Sequence, residues 1–210
     1  WLTEIKVPKD RIVKLGDKSN FWPSNARLNG PNGPCGPCSE IFYDWGKADC
    51  QNPQCDPDCS CGRFCEVWNL VFTQYNRKDG GALEPLPAKN IDTGMGLERL
   101  TAVMQGKHNN FDSDLFQPII KVVERAVAAE GAKIALRETR VIADHVRAVT
   151  FGISDGVIPS NEGRGYVMRR LIVDMVNILI QAGVKKPLVH GLVPVVVDVM
   201  KGPYPELVGK

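Results

Sequence analysis

Asn90-Ile91-Asp92-Thr93-Gly94-Met95-Gly96-Leu97-Glu98-Arg99 packs a carboxylate, two glycines and an arginine into one passage from strand to helix. Asp92 offers acceptor oxygens to an ammonium group. Gly94 and Gly96 carry no side chain to hold a ligand away from the backbone. Arg99 presents a planar fork of donors that matches phosphate oxygens. Together these groups suit a substrate with an amine at one end and phosphates at the other. The spacing excludes two commoner phosphate motifs. A dinucleotide fingerprint needs glycine where Arg99 stands, and a P-loop continues with Gly-Lys-Ser/Thr. On chemistry alone, a plain turn followed by a solvated arginine is the competing reading.

The flanking sequence adds to this passage. Asn20-Phe21-Trp22, Gly30-Pro-Asn-Gly-Pro-Cys35-Gly-Pro-Cys38-Ser-Glu40-Ile41 and Glu66-Val-Trp-Asn69-Leu-Val71-Phe72 precede it, in that order. Arg140-Val-Ile-Ala-Asp144-His145-Val-Arg147 and Ile158-Pro-Ser-Asn161-Glu162-Gly-Arg164-Gly-Tyr166-Val-Met-Arg169-Arg170 follow it. This series resembles the alanyl-tRNA synthetases, a family of class II aminoacyl-tRNA synthetases, and the resemblance runs over nearly the whole chain. It implies an α+β fold: residues 1–110 form the later part of an antiparallel-sheet catalytic domain, and 111–210 begin an all-helical tRNA-recognition domain.

The resemblance implies roles residue by residue. Asp92, partly desolvated, holds the α-amino group of L-alanine. Trp22, Val71 and Gly94 shape a small pocket around the methyl group, with Asn69 as a polar anchor. Ordinary core packing is the competing reading for Trp22 and Val71. Asn69 is different, because an amide in the middle of an apolar strand needs partners. Gly96 and Arg99 bind ATP, Arg99 as the motif 3 arginine on the phosphates, with Mg2+ expected alongside. Asn161 reads the G3:U70 pair in the acceptor stem of tRNA(Ala), supported by Arg164, Arg169 and Arg170. The bland alternative is that Ser160 and Asn161 cap the helix that follows. Arg137, Arg140 and Arg147 add to a locally basic surface for phosphates.

The sequence departs from the family after Arg170. The usual continuation is strongly basic, whereas this chain reads Val173-Asp174-Met175-Val176-Asn177-Ile178-Leu179. That puts tRNA affinity, not the fold, in question. Motifs 1 and 2 and the editing region lie outside these residues, so the stretch alone is expected not to aminoacylate. Two functional classes follow: the catalytic portion of a working alanine–tRNA ligase, or a synthetase-like paralogue kept as a binding or structural subunit.

Composition sets the outer bounds. Of the 210 residues 43% are hydrophobic, enough for a sizeable core. A net charge of +2 carries no argument for nucleic acid, which must rest on a local patch. No apolar run is long enough to cross a bilayer and no signal peptide opens the chain. A soluble, cytoplasmic protein without a membrane partner is therefore expected, an organellar copy being the variant. A first residue of Trp1 suggests a piece of something longer.

All seven cysteines fall between Cys35 and Cys65. Cys50, Cys55, Cys59 and Cys61 sit in a Pro/Asp/Asn-rich loop, spaced C-x4-C-x3-C-x-C. Three readings stay open for them: a tetrahedral structural Zn2+, reduced thiols packed in a loop, or disulfides. Cys35-x-x-Cys38 lies among prolines and reads as a rigid loop, not a redox site.

Periodicity organises the remainder. Residues 41–43 and 66–75 read as strands, 85–90 as a loop, and 96–104 as the start of a helix. From Asp112, Leu115, Ile119, Ile120, Val123 and Val127 recur at helical spacing, and Gly131 marks a stop. Further helices are expected over 139–151 and 165–182 (stopped by Gly183). Residues 193–200 are ambiguous on pattern, since β-branched residues favour a strand; Pro194 near the start and the helical domain that the resemblance implies decide for a helix.

Overall fold

The computed structural model describes residues 1–46 and 50–209. The chain divides into two compact units, Trp1–His108 and Asn109–Lys210. The first is built on an antiparallel sheet ordered β1-β2-β3-β4, from β1 (Phe21–Trp22), β2 (Gly33–Asp44), β3 (Phe64–Arg77) and β4 (Leu83–Met95). A short helix, α1 (Asp17–Asn20), precedes β1, and α2 (Leu97–Met104) follows β4.

The sheet corrects two expectations. The Gly/Pro segment around Cys35 and Cys38 is not a loop but the first half of β2. Pro37 is tolerated because the pairing with β3 is interrupted between Cys35 and Cys38, and Pro34 stands near the start of the strand, paired with Asn76. In that interruption Gly36 and Pro37 pair with Trp22 and Phe21 of β1 instead. Gly36 is obligatory here: a Cβ on it would lie 1.9 Å from the Phe72 carbonyl oxygen. Glycine thus lets two backbones meet where pattern reading sees only a breaker.

The second correction concerns 85–90, which belongs to β4. The register passes from Thr73↔Asn90 to Tyr75↔Pro85, so residues 86–89 bulge opposite Gln74 alone. Proline at 85 and 87 suits an edge strand with such a bulge. The β3–β4 connection is tight, with Gly80 and Gly81 at φ of 76° and 87° and Lys78 N–H donating to the Ala82 carbonyl at 2.9 Å. Buried apolar packing in this unit is modest: one cluster of Phe21, Ala26 and Cys35 with Tyr75 and Leu83 against it, and Cys38, Val71 and Ala102 buried besides.

The second unit is helical: α3 (Gln117–Ala129), α4 (Leu136–Ser154), α5 (Gly163–Gln181) and α6 (Val193–Met200). Pro118 in the first turn of α3 costs no hydrogen bond there. At the start of α4, Glu138 accepts from the Ala135 N–H at 3.1 Å, and the helix runs three residues beyond the expected span at each end. Gly131 and Gly183 adopt φ of 70° and 93° just past α3 and α5, as helix stops require. The core gathers one face of each helix, including Ile119, Val123, Ile142, Val146, Met175, Leu179 and Val196. No helix among the described residues is long and apolar enough to cross a membrane.

Candidate functional site

Antiparallel register decides which side chains share a sheet face. Val71 stands opposite Asp92 and Asn69 opposite Gly94. On the other side of β3, Cys38 pairs with Val71 and Glu40 with Asn69. Directly opposed residues project to one face and alternate residues repeat it. Cys38, Glu40, Asn69, Val71, Asp92 and Gly94 therefore occupy one face of three strands. Four of the five residues assigned to alanine are thus neighbours. Trp22 lies one strand further out, on β1, and is 47% exposed, so core packing does not account for it. Val71, only 8% exposed, sits at the floor.

Asn69 has the partner a mid-strand amide requires: its Nδ2 donates to Glu40 Oε1 at 3.1 Å. Its Oδ1 is buried without a hydrogen-bond partner among the described residues. Burial, followed by the charges of Glu66 and Asp58, raises the Glu40 carboxyl above its ordinary range. Cys38 is pushed up to about 11 by burial first and then by Glu40 and Glu66. The thiol is therefore neutral, and the face carries acidic charge alone. Such a face attracts a cation such as an ammonium group.

Asp92 departs from expectation. It is exposed, not partly desolvated, because β4 is an edge strand with few side chains against it. Space above Gly94 is open, since a Cβ there would meet nothing within 4 Å. Gly96 caps the N-terminus of α2, and its N–H donates to the Val67 carbonyl at 3.1 Å. This ties the start of the helix to β3. A Cβ on Gly96 would press on the Arg99 stem at 3.3 Å.

Arg99 is held by Glu66, with Nη1 donating to Oε2 at 3.0 Å and to the backbone carbonyl at 3.1 Å. Both side chains are partly exposed, 48% and 34%, and an exposed pair of this kind contributes only about 0–1 kcal/mol. Glu40 and Glu66 are the residues that pattern reading left without a role. Their signal was weak: Glu40 follows Cys38 at the strand period of two, and Glu66 is the third residue of a strand that carries several other polar side chains.

In the helical unit the arginines divide into two sets. Arg140 pairs with Asp112 at 3.0 Å and lies over the Phe111 ring. Arg147 stacks on Phe116 at 4.3 Å. These two hold α4 to the segment that leads into α3, so their guanidinium groups are engaged within the unit, a correction to the six-arginine patch. Arg137, Arg164, Arg169 and Arg170 are exposed. Arg170 approaches Asp174 at 3.9 Å, so a residue from the divergent stretch blunts one of them. Asn161 is exposed and caps nothing: Glu162 holds the N-cap position of α5 with no side-chain cap bond. Ser160 is the structural residue. Its Oγ donates to the Glu162 carbonyl at 3.0 Å, and its N–H donates to the Gly165 carbonyl at 3.0 Å. A Cβ on Gly165 would sit 2.3 Å from Ser160 Oγ, so glycine lets this loop fold back on the helix with Asn161 at its tip.

A model of the tRNA synthetases of class II (A) matches residues 1–210. The chain belongs to that family. Among curated relatives, the alanine–tRNA ligase of Elusimicrobium minutum is 49% identical over 99% of this chain, which spans 23% of that protein. The alanine–tRNA ligase of Thermotoga maritima is 49% identical over 99% of this chain and 24% of its own length, and that of Bacillus subtilis 45% over 99% and 23%. The chain thus spans about a quarter of the length of the class II relatives it matches.

The cysteine loop lies at the far end of the β2–β3 hairpin. Cys50, Cys55, Cys59 and Cys61 bring their sulphurs within 4.8 Å of one another. All seven cysteines are free, so the disulfide reading falls: the nearest pairs measured, Cys55–Cys61 and Cys50–Cys59, are 3.6 and 3.8 Å apart, against about 2.05 Å for a bond. A cavity of ≈ 310 Å³ in the helical unit, between α5 and residues 184–190, contains none of the assigned site residues.

Proposed function

We propose that this chain is the later part of the catalytic domain and the start of the tRNA-recognition domain of an alanine–tRNA ligase, acting in the cytoplasm. The observation that carries this reading is the register pairing Val71 with Asp92 and Asn69 with Gly94, with Arg99 one helical turn beyond. In this reading Asp92 takes the ammonium of L-alanine, and the acidic face set up by Glu40 and Glu66 favours its approach. Asn69 and Val71 form a floor that leaves room for a methyl group and little more. The amino-acid carboxylate oxygen attacks the α-phosphorus of MgATP, forming alanyl-adenylate and expelling pyrophosphate. Arg99 leaves Glu66 to hold phosphate oxygens. The step needs position and charge neutralisation more than a side-chain nucleophile. The terminal ribose hydroxyl of tRNA(Ala) then attacks the acyl carbon, and AMP leaves.

Asn161 is proposed to read the G3:U70 pair, because an amide both donates and accepts at base edges and its exposed place at the loop tip leaves it free to do so. Arg164, Arg169 and Arg170 supply phosphate contacts beside it. A methyl-sized pocket separates alanine from glycine or serine by only about 1–3 kcal/mol, so misactivation of both is expected.

The test is alanine-dependent ATP–pyrophosphate exchange by the full-length protein, with Asp92→Ala beside it. Exchange with alanine that falls at least about 100-fold in the variant, with circular dichroism unchanged, supports the reading. Near-normal exchange by Asp92→Ala removes the amino-group assignment, and no exchange by folded wild type removes the ligase reading.

A further inference from the structure

We propose that Cys50, Cys55, Cys59 and Cys61 bind one zinc ion as a tetrahedral tetrathiolate that closes the β2–β3 connection. The proposal is independent of the ligase reading, since no step of aminoacylation calls for these thiols.

Distances come first. A zinc ion bonds sulphur at about 2.3 Å, which places tetrahedral sulphurs about 3.8 Å apart. Cys50 Sγ and Cys59 Sγ stand 3.8 Å apart, and Cys55 Sγ and Cys61 Sγ 3.6 Å. All four sulphurs lie within 4.8 Å of one another. Two of the six edges thus match the tetrahedral length, and none exceeds it by more than about 1 Å. Cys65, though adjacent in sequence, is outside the group and contacts the Glu66 carbonyl instead.

Local sequence builds this arrangement. Asn52-Pro-Gln-Cys55 and Asp56-Pro-Asp-Cys59 are consecutive turns of the same construction. In each, the Asx side chain accepts from the N–H two residues on, Gln54 at 3.0 Å and Asp58 at 3.0 Å. In each, the cysteine N–H returns to the Asx carbonyl, at 3.2 and 3.0 Å. Proline fixes the second residue of both turns. Each turn therefore delivers a thiol at its fourth position without help from the other. On the exit side, the Arg63 N–H donates to Cys61 Sγ at 3.4 Å, a contact that favours a thiolate. The Arg63 guanidinium, held by Asp44 through Nε–Oδ1 at 2.6 Å, brings a positive charge to a centre that would carry two negative ones.

The chemistry balances simply. As one zinc ion binds, four S–H bonds break, four S–Zn bonds form and four protons pass to solvent. No redox step is involved. The purpose is read from the topology. The β2–β3 connection runs over residues 45–63, nineteen in all, long against the roughly 2–5 residues usual for a hairpin. With little apolar packing in the sheet unit, a metal supplies the order that burial does not.

The test uses the full 210-residue chain purified under reducing conditions. One zinc per chain is expected, and cobalt in its place is expected to give the intense visible absorption and sulphur-to-metal charge transfer of a tetrathiolate. Cys59→Ser is expected to lower metal affinity at least about 100-fold, while Cys65→Ser leaves it unchanged. Should Cys59→Ser fail to fold, Cys61→His retains a tetrahedral donor set and is expected to keep the metal with a shifted cobalt spectrum. The proposal is overturned by reduced, folded protein that takes up no zinc, by iron in place of zinc, or by equal loss of metal from Cys59→Ser and Cys65→Ser.

Discussion

The two units hold their folds by different means. The helical unit buries a continuous core from Phe116 to Leu207, with Ile119, Val123, Ile142 and Met175 wholly enclosed. The sheet unit has a small buried cluster, Phe21, Ala26 and Cys35, with Cys38, Val71 and Ala102 buried apart from it, and leaves β4 open to solvent. Its order comes from long hydrogen-bonded ladders, a glycine contact between backbones and local clamps such as Asp44–Arg63. A core tolerates small changes and loses stability in proportion to volume removed, whereas a ladder fails at particular points. The difference also suits the proposed sites: the open sheet face leaves room for a small substrate, and the helices would give firm support to residues meant for a larger partner.

All four tryptophans, at 1, 22, 45 and 68, lie in the sheet unit. Fluorescence therefore follows that unit, and helical circular dichroism follows the other. The largest effect is expected from Gly36→Val, which forces a side chain onto the Phe72 carbonyl. It should cost above about 4 kcal/mol in the fluorescence transition and leave the dichroism transition in place. Loss of both signals together would break the comparison. Met175→Ala should do the reverse, costing about 3 kcal/mol in the helical transition with the tryptophan signal unmoved.

A smaller effect is expected at Asp44. Its carboxyl is held down to about 2, chiefly by the hydrogen bond from Arg63, against an ordinary value of 3.8. A depressed carboxylate stabilises the fold above its unfolded value, and that contribution disappears as pH falls from about 4 towards 2. Asp44→Asn should remove up to about one proton of pH dependence from the sheet transition in that window, and none from the helical one. The smallest effect is expected from Asp174→Asn, which releases Arg170. RNA affinity of the full-length protein should rise about twofold at low salt, and its logarithmic salt slope should steepen by less than about one. An unchanged slope would show that Arg170 does not meet phosphate.

The same contrast governs what was legible in the sequence. Helices α3 to α5 could be read because their apolar residues repeat on one buried face and glycines close them, whereas α6, apolar nearly all round and rich in valine, has no such face in its pattern and was read as a helix from Pro194 and the family resemblance. α4 was read short because its ends, Leu136 and Ser154, lie outside the apolar stripe. Strand β2 was misread because Gly36, Pro34 and Pro37 look like turn residues, and only a non-local contact with Phe72 gives them a place in a sheet. Asn69 stood out as a polar side chain in an apolar strand. Glu40, its partner 29 residues away, did not, since pairing across strands leaves no local mark. The exposure of Asp92 and the inward roles of Arg140 and Arg147 depend on what packs beside them, which pattern alone does not say.

The outer face of α5 changes character along its length. Tyr166, Arg169 and Arg170 give way to the exposed Val173, Val176 and Ile180. At 1.5 Å per residue, the stretch from Arg164 to Arg170 spans about 9 Å of a helix about 28 Å long. A nucleic acid meeting this helix finds a short footprint, not a track. Its grip is then set by where the strand is placed more than by how much of it adheres, and a misplaced stem has little charge along which to slide into register.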